Sequence, residues 1–396
     1  MSKKILLVHP FDPIGKKIGG IEVYVNEFLK NIPDDFVTEL VGVTTDKINR
    51  PVKKWTELDF YGKKIRFFPV LFVKNQDIKP KIPLSLRFTI ALLLSRIDYK
   101  NRVVFFNRIE PSIVFTKKNN PKILMVHNDV QEQIYKKDGE VYWNKIPGIY
   151  RILEKYLISG LDYIYSANNR LIEYYKRIYK KDKFFFLPSS MVDENIFFIS
   201  SEDKKVLKEK IIKCYGFIPH AKTWILFTGR LEKQKSPLKL VEVFSEFQKR
   251  QADSVLIIIG DGSLKDAVNN RIEKLGLSKK IVTVPYLDRY RIADFCRASD
   301  VFLLTSLYEN LPFSIIEALS CGLPVVTTDV GEVRRVVKEG FSGIVAGTSE
   351  IDDIAEALVK IIKDRDRFSN FNCKESVNYY NPVNVLGPLY KLMRSL

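Results

Sequence analysis

The chain has 396 residues, 46% hydrophobic and 28% charged, which gives length for two domains, each with its own core, and excludes a disordered or fibrous protein. Its net charge of +17 is uneven: residues 1–190 carry 34 Lys and Arg against 20 Asp and Glu, a surplus of 14, and the remainder 30 against 27, a surplus of 3. No apolar run approaches the ~20 residues of a membrane-spanning helix, and Met1-Ser2-Lys3-Lys4 leads into a strand pattern without a signal-peptide core, so a cytosolic location is expected.

The first half opens with an apolar strand pattern at residues 4–9, a loop containing Gly19 and Gly20, and helical spacing over 22–30, a Rossmann-type beginning. Further strand patterns at 39–43, 103–106, 122–126, 163–166 and 184–187 alternate with helical segments, which predicts a parallel sheet covered by helices on both faces. After Pro188 the pattern breaks, and residues 190–200 read as a linker followed by a lysine-rich surface helix over 201–213. A second series of short β-branched runs follows at 224–227, 255–259, 281–284, 301–304 and 324–327, with a last helix near the chain end.

The expected architecture is therefore α/β, two Rossmann-like doubly wound parallel-sheet domains facing a cleft. The boundaries are 1–192 for the first and 193–376 for the second, with a helix over 377–396 packing back on the first. In such sheets ligands bind beyond the carboxyl ends of the strands, so the loops there are the places to look for chemistry.

Four loops qualify in the second half. The segment Gly229-Arg230-Leu231-Glu232-Lys233-Gln234-Lys235 precedes Ser236-Pro237, a suitable N-cap and first helical residue, so two cations flank a helix N-terminus where a diphosphate would sit well. Gly260-Asp261-Gly262 either lets backbone approach a ligand or makes a tight turn. In Glu309-Asn310-Leu311-Pro312-Phe313-Ser314, Pro312 opens a helix that Gly322 ends, which leaves Glu309 at its positive end. Glu317 lies inside that apolar helix and needs hydrogen-bond donors, which vicinal sugar hydroxyls would supply. Residues 327–332 bring one more strand end and glycine turn.

In the first half, Gly19-Gly20 stands at a helix start with Glu22 two residues on, and His127 lies just past a strand. Two basic clusters, residues 63–68 and 174–181, interleave cations with rings that suit the headgroup region of a bilayer, although nucleic acid uses similar residues and a lysine-biased solvated face is the plainer account. Cys214, Cys296, Cys321 and Cys373 are far apart with no C-x-x-C pair, which indicates neither a zinc site nor a disulfide framework.

Glu309, the seven residues after it, Glu317 and the following Ala-Leu-Ser-Cys-Gly-Leu-Pro run resemble the E-x7-E segment of the GT-B-fold retaining glycosyltransferases of family 4, and the resemblance extends over nearly the whole chain. Gly229-Arg230-Leu231 with Lys235 looks like that family's diphosphate loop, and Gly19-Gly20 with Glu22 like its N-terminal glycine loop near donor and acceptor. The resemblance implies that Arg230 and Lys235 neutralise a departing diphosphate, that Glu309 binds the donor sugar, that Glu317 holds the ribose, and that His127 orients the transferred sugar. Gly19, Gly20, Gly229, Gly260, Asp261, Leu311, Pro312, Phe313 and Ser314 would complete the donor site, and Gly20 and Glu22 would meet the acceptor.

The implied reaction moves a hexose or N-acetylhexosamine with retention from a UDP- or GDP-sugar to a glycan or lipid-linked acceptor in cell-envelope polysaccharide synthesis. No obligatory metal or other cofactor and no nucleic-acid partner are expected, and the basic first half would allow peripheral contact with an anionic membrane. Asn310, Ser236 and Ser189-Ser190 depart from the family's usual glycine or Asn-Gly at those places. A sugar-nucleotide epimerase of similar fold and a non-catalytic sugar-nucleotide-binding scaffold are the alternative readings.

Overall fold

The computed structural model describes residues 3–15, 19–74, 82–95, 97–127 and 146–396. The chain divides into two compact units, one running to Ser189 and regained at Pro382–Leu396, the other Ser190–Asn381.

The first unit contains β1 (Lys3–Val8), α1 (Gly20–Lys30), β2 (Phe36–Thr44), β3 (Thr56–Phe60), β4 (Lys63–Phe72), α2 (Leu84–Leu93), β5 (Val103–Phe106) and β6 (Lys122–Val126). After these come α3 (Pro147–Ser159), β7 (Tyr163–Ser166), α4 (Asn169–Tyr179) and β8 (Phe184–Phe186). The strand order is β3-β4-β2-β1-β5-β6-β7-β8, with β3 the one antiparallel member. Side chains of a strand alternate between faces. Leu6, Val8, Val104 and Phe106 accordingly pack with Phe88 and Leu92 of α2, Ile158 of α3 and Leu171 and Tyr175 of α4. Phe105 points the other way and meets Phe28 of α1 at 5.0 Å between ring centroids.

That second face is closed by α12 (Pro382–Ser395), whose Tyr390 ring lies 5.2 Å from Phe28 and whose hydroxyl donates to the Phe28 carbonyl at 2.7 Å. Arg394 adds a two-pronged contact to Asp35, at 2.6 and 2.9 Å.

The basic cluster at 63–68 keeps Lys64 exposed but not its rings. It forms β4, where the period of two turns Ile65 and Phe67 into the core, and Phe68 is buried as well. Arg66 is taken up by buried Glu39 at 2.7 Å, which also accepts from Arg102 at 2.5 Å, and it lies over the Trp55 ring. In the cluster at 174–181, Tyr175 is buried in the core while Lys176, Arg177, Lys180 and Lys181 remain exposed.

The second unit is a six-stranded parallel sheet of order β11-β10-β9-β12-β13-β14. Its strands are β9 (Thr223–Thr228), β10 (Ser254–Ile259), β11 (Ile281–Val284), β12 (Val301–Leu304), β13 (Val325–Thr328) and β14 (Gly343–Ala346). Its helices are α5 (Lys204–Tyr215), α6 (Pro237–Arg250), α7 (Lys265–Lys274), α8 (Arg289–Ala298), α9 (Phe313–Ser320), α10 (Ile351–Lys363) and α11 (Asn370–Glu375). Strands β9 and β10 are buried along their whole length, which is why they read as unbroken apolar runs. All four cysteines are free thiols, with Cys214 exposed and the other three buried. Among the described residues no helix is long and apolar enough to cross a membrane.

Candidate active site

In the second unit the strand order reverses between β9 and β12, and an open α/β sheet has its ligand crevice at such a point. The loops leaving β9, β10, β12 and β13 meet there and are tied together by their own backbones. Gly229 donates to the Ile259 carbonyl at 3.0 Å, Leu231 to Asp261 at 2.9 Å, Leu307 to Gln234 at 2.8 Å, and Glu332 to Asn310 at 2.7 Å. Two glycines make this approach possible. A Cβ on Gly260 would stand 1.9 Å from the Gly229 carbonyl oxygen, and one on Gly331 would stand 2.2 Å from those of Glu309 and Asn310.

This framework brings Lys235 and Glu309 together across the switch point. The Lys235 ammonium lies 2.5 Å from Glu309 Oε1, with both side chains nearly buried. Ser306 donates to the same oxygen at 2.9 Å, and Gln234 Nε2 approaches Oε2 at 3.4 Å while bonding the Tyr308 carbonyl at 3.1 Å. Arg230 is exposed, and among the described residues no carboxylate pairs with it. The pocket edge thus offers one free guanidinium and one ammonium already held by a carboxylate.

Helix α9 starts at Phe313, with Pro312 as its N-cap residue, so the amides of its first turn lack intrahelical acceptors. Ser314 Oγ in that turn is buried and has no hydrogen-bond partner among the described residues. Leu311 is buried, and its carbonyl accepts from the Ser190 hydroxyl. Gly322 closes the helix at φ 74°, as a glycine after a helix end should.

Glu317, flanked by fully buried Ile316 and Ala318, has Arg289 Nη2 3.6 Å from its Oε1. Tyr286 is close enough for the Glu317 charge to count among the causes that raise its phenol pKa, after burial. Asp261 is exposed and engaged locally, with Lys265 at 3.1 Å and the Gly262 amide at 2.8 Å holding its carboxyl below the usual range. Ser236, expected as an N-cap, makes no side-chain cap bond and sits in the left-handed region at φ 49°.

The first unit has a switch point of its own, between β1 and β5. Beyond those strands lie His9 and Asn107, with His127 beyond the neighbouring β6. His127 Nε2 is 2.7 Å from Asn107 Oδ1, and its ring meets the edge of Tyr24 at 4.8 Å between centroids. Burial first, then the Arg108 guanidinium, pushes the His127 pKa down to about 3, so the ring is neutral at physiological pH. His9 is fully buried, neither ring nitrogen is bonded among the described residues, and the same two causes lower it well below the ordinary value. Gly19 caps α1, and its amide donates to Glu22 Oε2 at 3.0 Å, which folds that carboxylate back over the glycine loop.

Ser306, Arg289 and Asn107 escaped the sequence reading, and Gln234 and Ser190 entered it with no part in the site. Asn107 had a signal, since it follows a strand just as His127 does. The others become visible only when distant loops are seen side by side. Among the described residues, no group of three His, Cys, Asp or Glu side chains is placed to hold a metal ion.

Two parallel α/β sheet units, with loops of this kind at the carboxyl ends of their strands, define a two-domain GT-B fold. Residues 210–375 match the model of the family glycosyl transferases group 1. A relative from Escherichia coli, UDP-Gal:alpha-D-GlcNAc-diphosphoundecaprenol alpha-1,3-galactosyltransferase, is 33% identical over 193 residues, 47% of this chain and 48% of that protein; the match thus spans about half the relative's length. Sucrose-phosphate synthase from Thermosynechococcus elongatus superposes with a TM-score of 0.79 at 17% identity, covering 99% of this chain and 98% of that one. Anabaena HepE, solved in complex with UDP and glucose, gives 0.73 at 16% identity with both chains fully covered. At these identities the two structures speak for the fold alone.

Proposed function

We propose that this protein transfers a hexosyl or N-acetylhexosaminyl group, with retention of configuration, from a UDP- or GDP-sugar to a lipid-linked or oligosaccharide acceptor in cell-surface glycan synthesis. The observation that carries the reading is the pairing of Lys235 with Glu309 at the β9/β12 switch point, beside an unpaired Arg230 and the open first turn of α9. A diphosphate placed there meets the Arg230 guanidinium, the Lys235 ammonium and helix amides together. Glu309, held by Lys235 and Ser306, accepts from hydroxyls of the donor sugar, and Glu317 accepts from those of the ribose. The E. coli relative, whose name specifies a UDP-sugar donor and a diphosphoundecaprenol acceptor, supports both substrate classes.

In the transfer the bond from the anomeric carbon to the diphosphate oxygen breaks while the acceptor oxygen approaches the same face. The departing diphosphate takes the acceptor's proton, so no protein nucleophile is needed. Rate enhancement comes from positioned charge: Arg230 and Lys235 meet negative charge as it grows on the leaving group, where it is worth most. Neutral His127 orients the sugar through hydrogen bonds without adding a cation beside the developing oxocarbenium.

The test is a thermal-shift screen against UDP, GDP, ADP and CMP and their sugar conjugates, repeated with Arg230→Ala and Glu317→Ala. Stabilisation by one nucleoside diphosphate, lost in both variants, is the expected result. Its absence for every nucleotide would overturn the reading in favour of a scaffold, and sugar isomerisation without a second substrate would establish the epimerase.

A further inference from the structure

Residues 190–200 read as a linker in the sequence, yet the chain enters the second unit at Ser190 as buried structure. Ser190, Met191, Val192, Asp193, Ile196 and Phe197 are each 8% exposed or less. The segment is held in place along its length: Val192 donates to the Tyr380 carbonyl and Arg297 to the Ile196 carbonyl, each at 2.9 Å. Asp193 turns it, its carbonyl accepting from the Ile196 and Phe197 amides at 3.0 Å.

Two residues of this segment bear on the candidate site. In the loop between β12 and α9, carbonyls are held by donors from other parts of the unit. Thr328 Oγ1 donates to that of Ser306 at 2.7 Å, Gln234 Nε2 to that of Tyr308 at 3.1 Å, and the Glu332 amide to that of Asn310 at 2.7 Å. The Ser190 hydroxyl completes the set at buried Leu311. Pro312 follows, which has no N–H to anchor it, and its carbonyl serves the helix by accepting from Ile315 at 3.2 Å. Leu311 is thus the last loop carbonyl fixed from outside before the first turn of α9, and a buried carbonyl that loses its donor must find another or move.

Further along the same segment, the fully buried Phe197 ring has the Arg289 guanidinium 5.4 Å from its centroid, and Arg289 in turn stands 3.6 Å from Glu317. The face of an aromatic ring attracts and orients a guanidinium. The start of α9 and the carboxylate inside it are therefore both set by one stretch of chain.

We propose that Ser190 and Phe197 are positioning residues of the donor site, Ser190 acting through Leu311 on the first turn of α9 and Phe197 acting through Arg289 on Glu317. This rests on the donor reading above. Calorimetry on the full chain, with UDP, GDP and their 2′,3′-dideoxy analogues, tests it. Phe197→Leu should cut the preference for the hydroxylated nucleotide about fivefold, since that preference resides in Glu317. Ser190→Ala should weaken the nucleotide and its analogue alike, about tenfold. In the nucleotide-free protein it should also speed amide hydrogen exchange at residues 313–316 alone.

Thermal melts check folding, and Phe197→Leu keeps the inference open to refutation should Ser190→Ala fail to fold. Variants with the parent's affinity and the parent's preference for the ribose hydroxyls would overturn the proposal, as would faster exchange spread evenly over the second unit. A parent that binds neither nucleotide brings down the donor reading and this inference together. A parent that binds, with variants that match it, brings down this inference alone.

Discussion

Only three histidines are present, so an Asn107→Asp substitution can be followed at a single ring. Burial and Arg108 hold native His127 near a pKa of about 3, whereas a free imidazole in the unfolded chain titrates near about 6.5. Above that pH neither state binds the proton, and stability does not depend on this group. Below it the unfolded chain takes up a proton that the native protein refuses, so unfolding becomes easier by about 1.4 kcal/mol per pH unit until the folded pKa is reached. From pH 6.5 to 5 His127 alone therefore removes about 2 kcal/mol, and buried His9 acts in the same direction.

Asn107→Asp places a carboxylate where an amide oxygen lies 2.7 Å from Nε2, which favours the imidazolium. The His127 pKa rises and the acid sensitivity of stability shrinks. Urea unfolding at pH 7, 6 and 5, with an NMR titration of the imidazole Cε1–H signals, reads both effects. A parent His127 ring that titrates near pH 6.5 in the folded protein, or an identical pH slope of stability in the two proteins, would refute the reasoning.

Two further substitutions probe the second unit. Arg230→Ala should change stability by no more than about 0.5 kcal/mol, the side chain being exposed and unpaired, while Lys235→Ala should cost about 2–3 kcal/mol by stranding the nearly buried Glu309 carboxylate; equal losses in urea melts would contradict the arrangement. Ser236→Gly should stabilise by about 0.5–1 kcal/mol, because Ser236 occupies φ 49° with no cap bond to offset the strain. A lower melting temperature for that variant would show that the serine holds the loop in a way the hydrogen bonds do not reveal.

The local pattern of the chain was enough to announce two α/β repeats. Buried parallel strands such as β9 and β10 must be continuous apolar runs, and the helix opening near Pro312 and ending at Gly322 is written in residues that suit those termini. The same local rules misjudged residues 63–68, where alternating cations and rings look like a surface cluster until a neighbouring strand shows which half of the alternation is inside. Strands β3 and β14 were missed as well, since an edge strand gains its hydrogen bonds from a partner that local composition does not name.

For the candidate site, residue types at strand ends were legible: Arg230, Lys235, Glu309 and His127 stand in loops or turns that the pattern marks as ligand-facing, and Glu317 lies inside the helix that follows one of them. Their partners were not. That Glu309 answers to Lys235 and Ser306, Glu317 to Arg289, and His127 to Asn107 depends on which loops a parallel sheet sets side by side, and strand order is a long-range property. The seating of Leu311 on Ser190 and of Arg289 on Phe197 is of the same kind. By itself the sequence determined most of the helix and strand segments and which loops carry charge, because backbone propensity and hydrophobic period act over a few residues. Only the tertiary structure decided which carboxylate is neutralised, which histidine stays uncharged and which apolar residues remain outside, because desolvation and Coulomb interaction depend on neighbours brought together from distant parts of the chain.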